Sequence, residues 1–316
     1  MNSADHPLFG LVAELSQDLR EEVLPSLGAV EGRAHADTGA GGDVTFAIDE
    51  RAESRMEEFL AERAPDVAFY SEDRGMVMPG GEPSWVLVVD PIDGTRPAMA
   101  GFESACVSVA AARLDGEPAM SDVEVGCVVE IKSGQTFLAV RGAGVDPAPR
   151  LSAQTSIERM FWTYGFRGRP AIPTATVLAG LIDASSVAGG TFDLGSATYD
   201  MTRLVTGQLD AYVEPGPRMI EEVDWVRADF ERVGRGAILN NSPYDLAAAA
   251  LILAEAGAIV TDASGASLTD RPLLGSGHDF QMSCVCAANA DLHAAILAEV
   301  DAGIERLRHS GPPSAA

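Results

Sequence analysis

Lysine is almost absent from this chain: Lys132 stands alone, and every other member of its 22 basic residues is arginine. Basic charge is scarce as a whole, with 22 Lys and Arg against 47 Asp and Glu and a net charge of −25. Nucleic-acid polymers are bound by Lys and Arg that neutralise phosphates, so this balance argues against such a partner. It also poses a problem for any phosphorylated small molecule, which the overall field repels unless arginines or cations gather locally. The arginine excess reads mainly as coding bias, although guanidinium forks do suit phosphate oxygens. Long apolar runs are missing too. A membrane span needs roughly 18 apolar residues, and the best run, Leu246 to Ala254, stops at Glu255. The N-terminal MNSADHP has no basic region ahead of an apolar stretch, so no secretion signal is read there and a cytoplasmic chain is expected. Cysteines stand only at 106, 127, 284 and 286, none with CxxC spacing and each in an apolar, strand-like run. That pattern reads as buried free thiols, not as zinc ligands or a disulfide. The five histidines are scattered singly, which gives a histidine-based metal site or triad little support.

What remains is a chain of 316 residues, 47% apolar, long enough to bury a large core. Leu8, Leu11, Val12, Leu15, Leu19, Val23 and Leu27 recur at helical spacing and predict a long first helix. A Gly-rich loop at 39–42 and a second helix from Ile48 to Ala61 follow. Two short strands are expected at Val67–Tyr70 and Trp85–Val89, then three antiparallel ones at 104–113, 121–131 and 135–141. Beyond Pro147 and Pro149 helices and strands alternate: strand 158–163, helix 174–183, strand 186–192, helix 196–206 and strand 208–213. An amphipathic helix at 220–232, an Ala-rich helix at 245–256, strands near 258–261 and 282–287 and a last helix at 291–307 complete the chain. The Pro-rich turn divides it into sub-domains 1–147 and 148–316, expected to pack together with a site between them.

The sharpest local signal is VLVVDPIDGT at 86–95. A buried strand delivers Asp90 and Asp93 to the turn after it, Pro91 stiffens the approach and Gly94 permits a tight bend. Two acids on a rigid turn, with the Ile92 carbonyl between them, can converge on hard cations. The N–H groups of Gly94 and Thr95 can face an anion. The competing reading is that Asp-Pro and Asp-Gly are ordinary turn dipeptides. The DxDGT logic of haloacid dehalogenases is excluded, because its nucleophile lies two residues before the second acid and that position here is Pro91–Ile92. Other acids stand at element ends: Asp49 near a helix start, Glu72 and Asp73 after a strand, and Asp245 in the first turn of the Ala-rich helix. Taken singly, each also fits an ordinary helix-start or loop acid.

Together, DVTFAIDERAE, SEDRG, DPIDGT and YDLAAAALILAEAGAIVTD resemble, in this order, the four blocks of the inositol monophosphatase family, which shares a superfamily with fructose-1,6-bisphosphatase and 3′-phosphoadenosine phosphatase. Weaker echoes at TFLAVRGAGV and LGSATYDMTRLVTGQLDAYVE extend the likeness over roughly residues 40 to 300. The resemblance implies an α/β (α+β) fold, a layered α-β-α-β-α sandwich, in a homodimer with no membrane contact. It implies Mg²⁺, two or three ions with Mn²⁺ as a substitute, held by Glu72, Asp90, Asp93, Asp245 and the Ile92 carbonyl. Asp49 and Thr95 would activate water, Gly94 and Thr95 would bind the phosphoryl group, and Gly195, Ser196 and Glu214 would contact substrate. The expected activity is hydrolysis of a small phosphorylated metabolite, a sugar, cyclitol or nucleoside phosphate; the alternative is a non-catalytic metal- and ligand-binding module. Arg96 and Arg218 are further candidates on charge alone. Departures fall at the pocket rim. Asp73 replaces the second acid of a Glu-Glu pair, Tyr244 a Trp and Phe192 an Arg, and the upstream lysine is absent. RPAMAGFE follows the DGT, and residues 215–244, with Trp225 and Phe230, stand where relatives have a few residues. That segment is expected to be a lid, a specificity wall or a dimer contact.

Overall fold

The computed structural model describes residues 3–29, 35–38 and 44–311. The predicted Gly-rich loop at 39–42 lies outside them. The first half begins with helix α1 (Phe9–Val23), the antiparallel pair β1 (His35–Thr38) and β2 (Val44–Phe46), and helix α2 (Ala47–Arg63). There follow β3 (Ala68–Ser71), β4 (Gly75–Val77), β5 (Trp85–Asp93), the short helix α3 (Thr95–Ala100), β6 (Cys106–Arg113), β7 (Val123–Glu130), β8 (Thr136–Val140) and β9 (Gly144–Asp146). Strands β3 to β9 form one seven-stranded sheet in the order β4-β3-β5-β6-β7-β8-β9, antiparallel throughout except for the parallel pair β3–β5.

The second half contributes β10 (Phe161–Tyr164), α4 (Ala171–Ser185), β11 (Gly190–Phe192), α5 (Ala197–Thr206) and β12 (Ala211–Glu214). It continues through α6 (Gly216–Glu222), α7 (Val226–Val233), α8 (Pro243–Ala256), β13 (Ile259–Thr261), β14 (Cys284–Ala287) and α9 (Ala290–Ser310). Its five strands run in the order β11-β10-β12-β14-β13. The first three are parallel and the last two pair antiparallel.

Alternation along β5 shows how the layers form. Leu87 and Val89 face one core with Val12, Leu15 and Leu19 of α1 and Ala52 and Met56 of α2. Val86 and Val88 face the opposite core with Met201 and Leu204 of α5, Leu246, Ala249 and Ile252 of α8, and Tyr212, Cys284 and Cys286 of the smaller sheet. A strand buried on both faces needs an unbroken apolar run, which is what VLVV supplies. On the far side of the smaller sheet, Val177, Leu178 and Leu181 of α4 and Ile296, Val300 and Ile304 of α9 cover Trp162, Val213 and Val285. The result is the expected α-β-α-β-α sandwich: helices α1 and α2, the large sheet, α5 and α8, the small sheet, then α4 and α9. All four cysteines are buried and free. No helix among the described residues is long and apolar enough to cross a membrane.

Three expectations are corrected. The strand expected to end at Val89 continues through Asp93. The strand expected over 186–192 is only Gly190–Phe192, because α4 runs on to Ser185. The helix expected at 220–232 is two helices, broken where Val223 is extended (φ −131°, ψ 93°). The spacing of Met219, Val223, Val226 and Phe230 suits one continuous helix, and all four enter the core with Trp162 and Ile304 across the break.

Helix α8 is Ala-rich because it lies between two sheets at close range. A Cβ on Gly126 of β7 would stand 2.8 Å from the Ala248 carbonyl oxygen and 3.1 Å from Ala248 Cα. Gly126→Val is therefore expected to cost about 1–3 kcal/mol through overpacking. A lowered urea midpoint at unchanged m-value is the measurement that checks it.

Candidate active site

The chemistry-bearing residues converge where the C-terminal ends of β3 and β5 meet the starts of α2, α3, α5 and α8. A cleft of about 470 Å³ is lined there by Asp49, Glu72, Asp73, Asp90, Ile92, Asp93, Gly94, Thr95, Arg96, Arg167, Gly195 and Asp245. Nearly every site residue expected from the sequence is in that lining.

How β5 presents two acids is a matter of register. Asp90 pairs with Ser108 and Asp93 with Cys106, so three steps on β5 oppose two on β6. In a regular strand, residues three apart face opposite sides of the sheet. The bulge adds one residue and turns both carboxylates to the same side, and bulges of this kind also accommodate a proline such as Pro91. Gly94 then reverses the chain at φ +90°, where a Cβ would lie 2.6 Å from the Ser104 carbonyl oxygen and 2.9 Å from Ser196 Cβ. Only glycine fits there.

Each acid is locked by one oxygen. Asp90 Oδ1 accepts from Ile92 N–H at 2.9 Å. Asp93 Oδ2 accepts from the Ser196 hydroxyl at 2.8 Å and from Thr198 N–H, in the first turn of α5, at 2.6 Å. Asp245 Oδ2 accepts from Ser242 N–H at 2.6 Å. Asp49 Oδ2 does the same for Phe46 N–H at 2.9 Å. The helix-start roles of Asp49 and Asp245 are thus real. Asp90, Asp93 and Asp245 each offer one carboxylate oxygen to a group whose members all lie within 4.8 Å of one another.

Such a group is electrostatically unfavourable by itself. Burial, then the charges of Glu72, Asp93 and Asp245, push the Asp90 carboxyl well above its ordinary range. Burial and Asp93 push Asp245 up to about 7, against the Ser242 hydrogen bond and the pull of Arg167 and Arg169. Burial also raises Asp93, opposed by its bonds to Thr198 and Ser196 and by Arg167. Asp245 stays raised despite Arg167 and Arg169, so close like charges of this kind call for protons or a cation among them. All the donors are hard oxygens, the Ile92 carbonyl is beside them, and Glu72 lies close enough to act on Asp90. The residues fit a hard divalent cation. Thr95 shares this corner: its hydroxyl donates to the Ile92 carbonyl at 3.2 Å.

Three placements differ from expectation. Ser196 is outside this lining; its hydroxyl holds Asp93, and it lines an adjoining cleft instead. Glu214 is fully buried and absent from the cleft lining; it accepts from Gly216 N–H at 2.7 Å and forms an ion pair with Arg169. Arg218, a candidate on charge, points elsewhere, to Glu222, Asp301 and the Ala263 carbonyl. Arg96 does line the cleft and stands over the Phe46 ring at 5.6 Å. Sequence reasoning missed Arg167, Thr198 and Glu53. Arg167 was findable: GFRGRP puts two arginines on a Gly-rich turn directly after a strand, in a chain poor in basic charge.

A model described as the inositol monophosphatase family matches residues 5–305. The chain is 26% identical over 300 residues to a protein of Methanothermobacter thermautotrophicus named fructose-1,6-bisphosphatase/inositol-1-monophosphatase, covering 91% of this chain and 94% of that one. It is 26% identical over 266 residues to a protein of Vibrio cholerae named Nus factor SuhB, covering 82% and 86% of the two chains. An IMPase structure from Thermotoga maritima superposes with a TM-score of 0.69 at 18% identity, covering 96% of this chain and all of that one. That likeness supports the fold.

Glu53 brackets Glu72 from below. Its carboxylate accepts from the Ser71 hydroxyl at 2.8 Å and from Asp73 N–H at 3.3 Å, one residue either side of Glu72. Arg74 ties the same loop to Glu50 and Glu57 of α2, both at 2.8 Å. Burial raises the Glu53 carboxyl to about 7, opposed by its bonds to Ser71 and Asp73. The folded carboxyl therefore holds its proton better than the unfolded one. Its contribution to stability is complete below about pH 4.5 and is lost as pH rises through about 7. Glu53→Gln is expected to flatten the fall in urea midpoint across this window in metal-free protein; an unchanged slope would count against the assignment.

Proposed function

Because the chain belongs to the inositol monophosphatase family, we propose that it hydrolyses a small phosphate monoester in a magnesium-dependent reaction at this cleft. The observation that carries the reading is the convergence of Asp90, Asp93 and Asp245 within 4.8 Å in a cleft that also holds Asp49, Glu72 and Thr95. When bound, Mg²⁺, as two or three ions or replaced by Mn²⁺, supplies charge for the phosphoryl and leaving oxygens and makes bound water more acidic.

The chain's own residues do the remainder. Glu72, Asp90, Asp93, Asp245 and the Ile92 carbonyl hold the cations. Thr95 receives the proton of the attacking water at its hydroxyl and passes it toward the Asp49 carboxylate, in a general-base role that requires both to face the same space. The amides of Gly94 and Thr95 bind phosphoryl oxygens, and Arg167 adds the positive charge that an acidic chain needs for an anionic substrate. Gly195 forms the adjoining wall, and Ser196 acts through Asp93. Water attacks phosphorus directly, so no covalent enzyme intermediate is formed. The substrate class is a sugar, cyclitol or nucleoside phosphate, and the working unit a homodimer in the cytoplasm.

A second reading has its own support, since several relatives carry the name Nus factor SuhB. In it the chain is a non-catalytic partner module. A panel of phosphorylated metabolites assayed for orthophosphate with Mg²⁺ separates the two: turnover of any member supports the phosphatase, and a silent panel favours the module.

Asp93→Asn is expected to reduce Mg²⁺-stimulated phosphate release by about a hundredfold or more while leaving the circular dichroism spectrum native. Unchanged turnover would remove the assignment. Mg²⁺ or Mn²⁺ should also raise the Tm of the parent protein by mass action, and raise it far less in Asp93→Asn.

A further inference from the structure

A second cleft adjoins the first across Asp93, Gly195 and Asp245 and extends to Arg169, Asp200 and Asn240. Asn240 belongs to the 215–244 segment, between α7 and α8, and is 8% exposed. Neither atom of its side-chain amide has a hydrogen-bond partner among the described residues. The same is true of Arg169 Nε and of Asp200 Oδ1, on residues 7% and 1% exposed. Buried polar atoms are nearly always paired, so several in one cleft point to a ligand or to ordered water. The neighbouring Asn241 is by contrast fully engaged, donating to the Tyr212 hydroxyl at 2.7 Å and accepting from Arg169 at 3.1 Å. Glu214, paired with Arg169, is fully buried and does not line this cleft.

The geometry points to Asn240 as a specificity-determining residue that hydrogen-bonds hydroxyl groups on the alcohol half of the phosphate ester, an inference that rests on the phosphatase reading above. The donor and acceptor pattern carries the choice of ligand. Asn240 offers a donor and an acceptor together, Arg169 Nε a donor and Asp200 Oδ1 an acceptor. Adjacent hydroxyls, each able to donate and accept, match that mixture. A second anionic group matches less well, because Asp93, Asp193, Asp200 and Asp245 line this cleft against Arg167 and an Arg169 already paired with Glu214. An apolar group would leave each buried polar atom without a partner. The 215–244 segment is in this reading a specificity wall: its helices are anchored in the core by Met219, Val226 and Phe230, and its returning loop supplies the recognition side chain.

The test compares two esters of one ring size, myo-inositol 1-phosphate and cyclohexyl phosphate, on the parent and on Asn240→Ala. Steady-state kinetics with Mg²⁺ and calorimetric binding with Ca²⁺ in its place are both read. The parent should favour the inositol ester, and in the variant that preference should fall about tenfold, the loss of one hydrogen bond to a neutral group, through KM more than kcat. If the alanine variant does not fold, Asn240→Ser gives the same readout. Equal losses on both esters, or a parent with no preference, overturn the proposal. Phosphate release with no selective change would leave the phosphatase standing and remove Asn240. Selective binding without phosphate release would remove the phosphatase and keep Asn240.

Discussion

Three carboxylates within 4.8 Å of one another, two of them buried and Asp245 half-buried, cannot all be charged unless something positive stands among them. Much of the surrounding structure is organised to hold them there against that repulsion. The β5 bulge turns Asp90 and Asp93 to one side, Gly94 lets the chain leave at an angle no other residue adopts cheaply, and α8 carries Asp245 in from the opposite layer. Each acid also accepts a backbone N–H with one oxygen, so its position does not depend on what the other oxygen binds.

That arrangement also answers the problem posed by a net charge of −25. The cleft receives the first turns of α2, α3, α5 and α8, and Thr198 N–H at the start of α5 is bonded directly to Asp93. Helix N-termini carry partial positive charge, which offsets part of the crowding. Arg167 acts on both Asp93 and Asp245, Arg169 acts on Asp245, and Arg96 lines the same cleft, adding to the local positive field. A strongly acidic protein can thus present a site for an anion without a basic surface. The opposite wall is built differently. Glu214 and Arg169 neutralise each other there, and the loop after α7 brings the Asn240 amide, without a hydrogen-bond partner among the described residues, to the second cleft.

The order of acids along the chain was legible because each belongs to a contiguous string whose residue types have local causes. Asp90, Pro91, Asp93 and Gly94 are set by one strand and one turn, while Asp49 and Asp245 open helices. The continuous apolar run at 86–89, the helical spacing of α1 and the Ala-rich α8 likewise reflect local period and burial, so element types were readable to within a few residues. What misled was any reading of a side chain by its neighbours in sequence. Ser196, expected at the substrate wall, lines the second cleft and also holds Asp93. Glu214 was read as open to substrate and is neutralised by Arg169, which lies 45 positions earlier. The spacing in 220–232 fits one helix, and the extended backbone at Val223 makes it two.

By itself, then, the sequence indicated most of the helices and strands and the acid-bearing turn at 90–94, and through its resemblance to a family the layered sandwich. The elements and the turn arise from hydrophobic period, chain stiffness and residue type, all of which act over a few positions. The tertiary structure alone decided which oxygen of each acid is left over, where Arg167 and Arg169 stand, and that the 215–244 segment ends with Asn240 in the second cleft. Partner choice among buried charges and amides depends on which distant elements pack together, and pairwise distance in space is not encoded in any local run of residues.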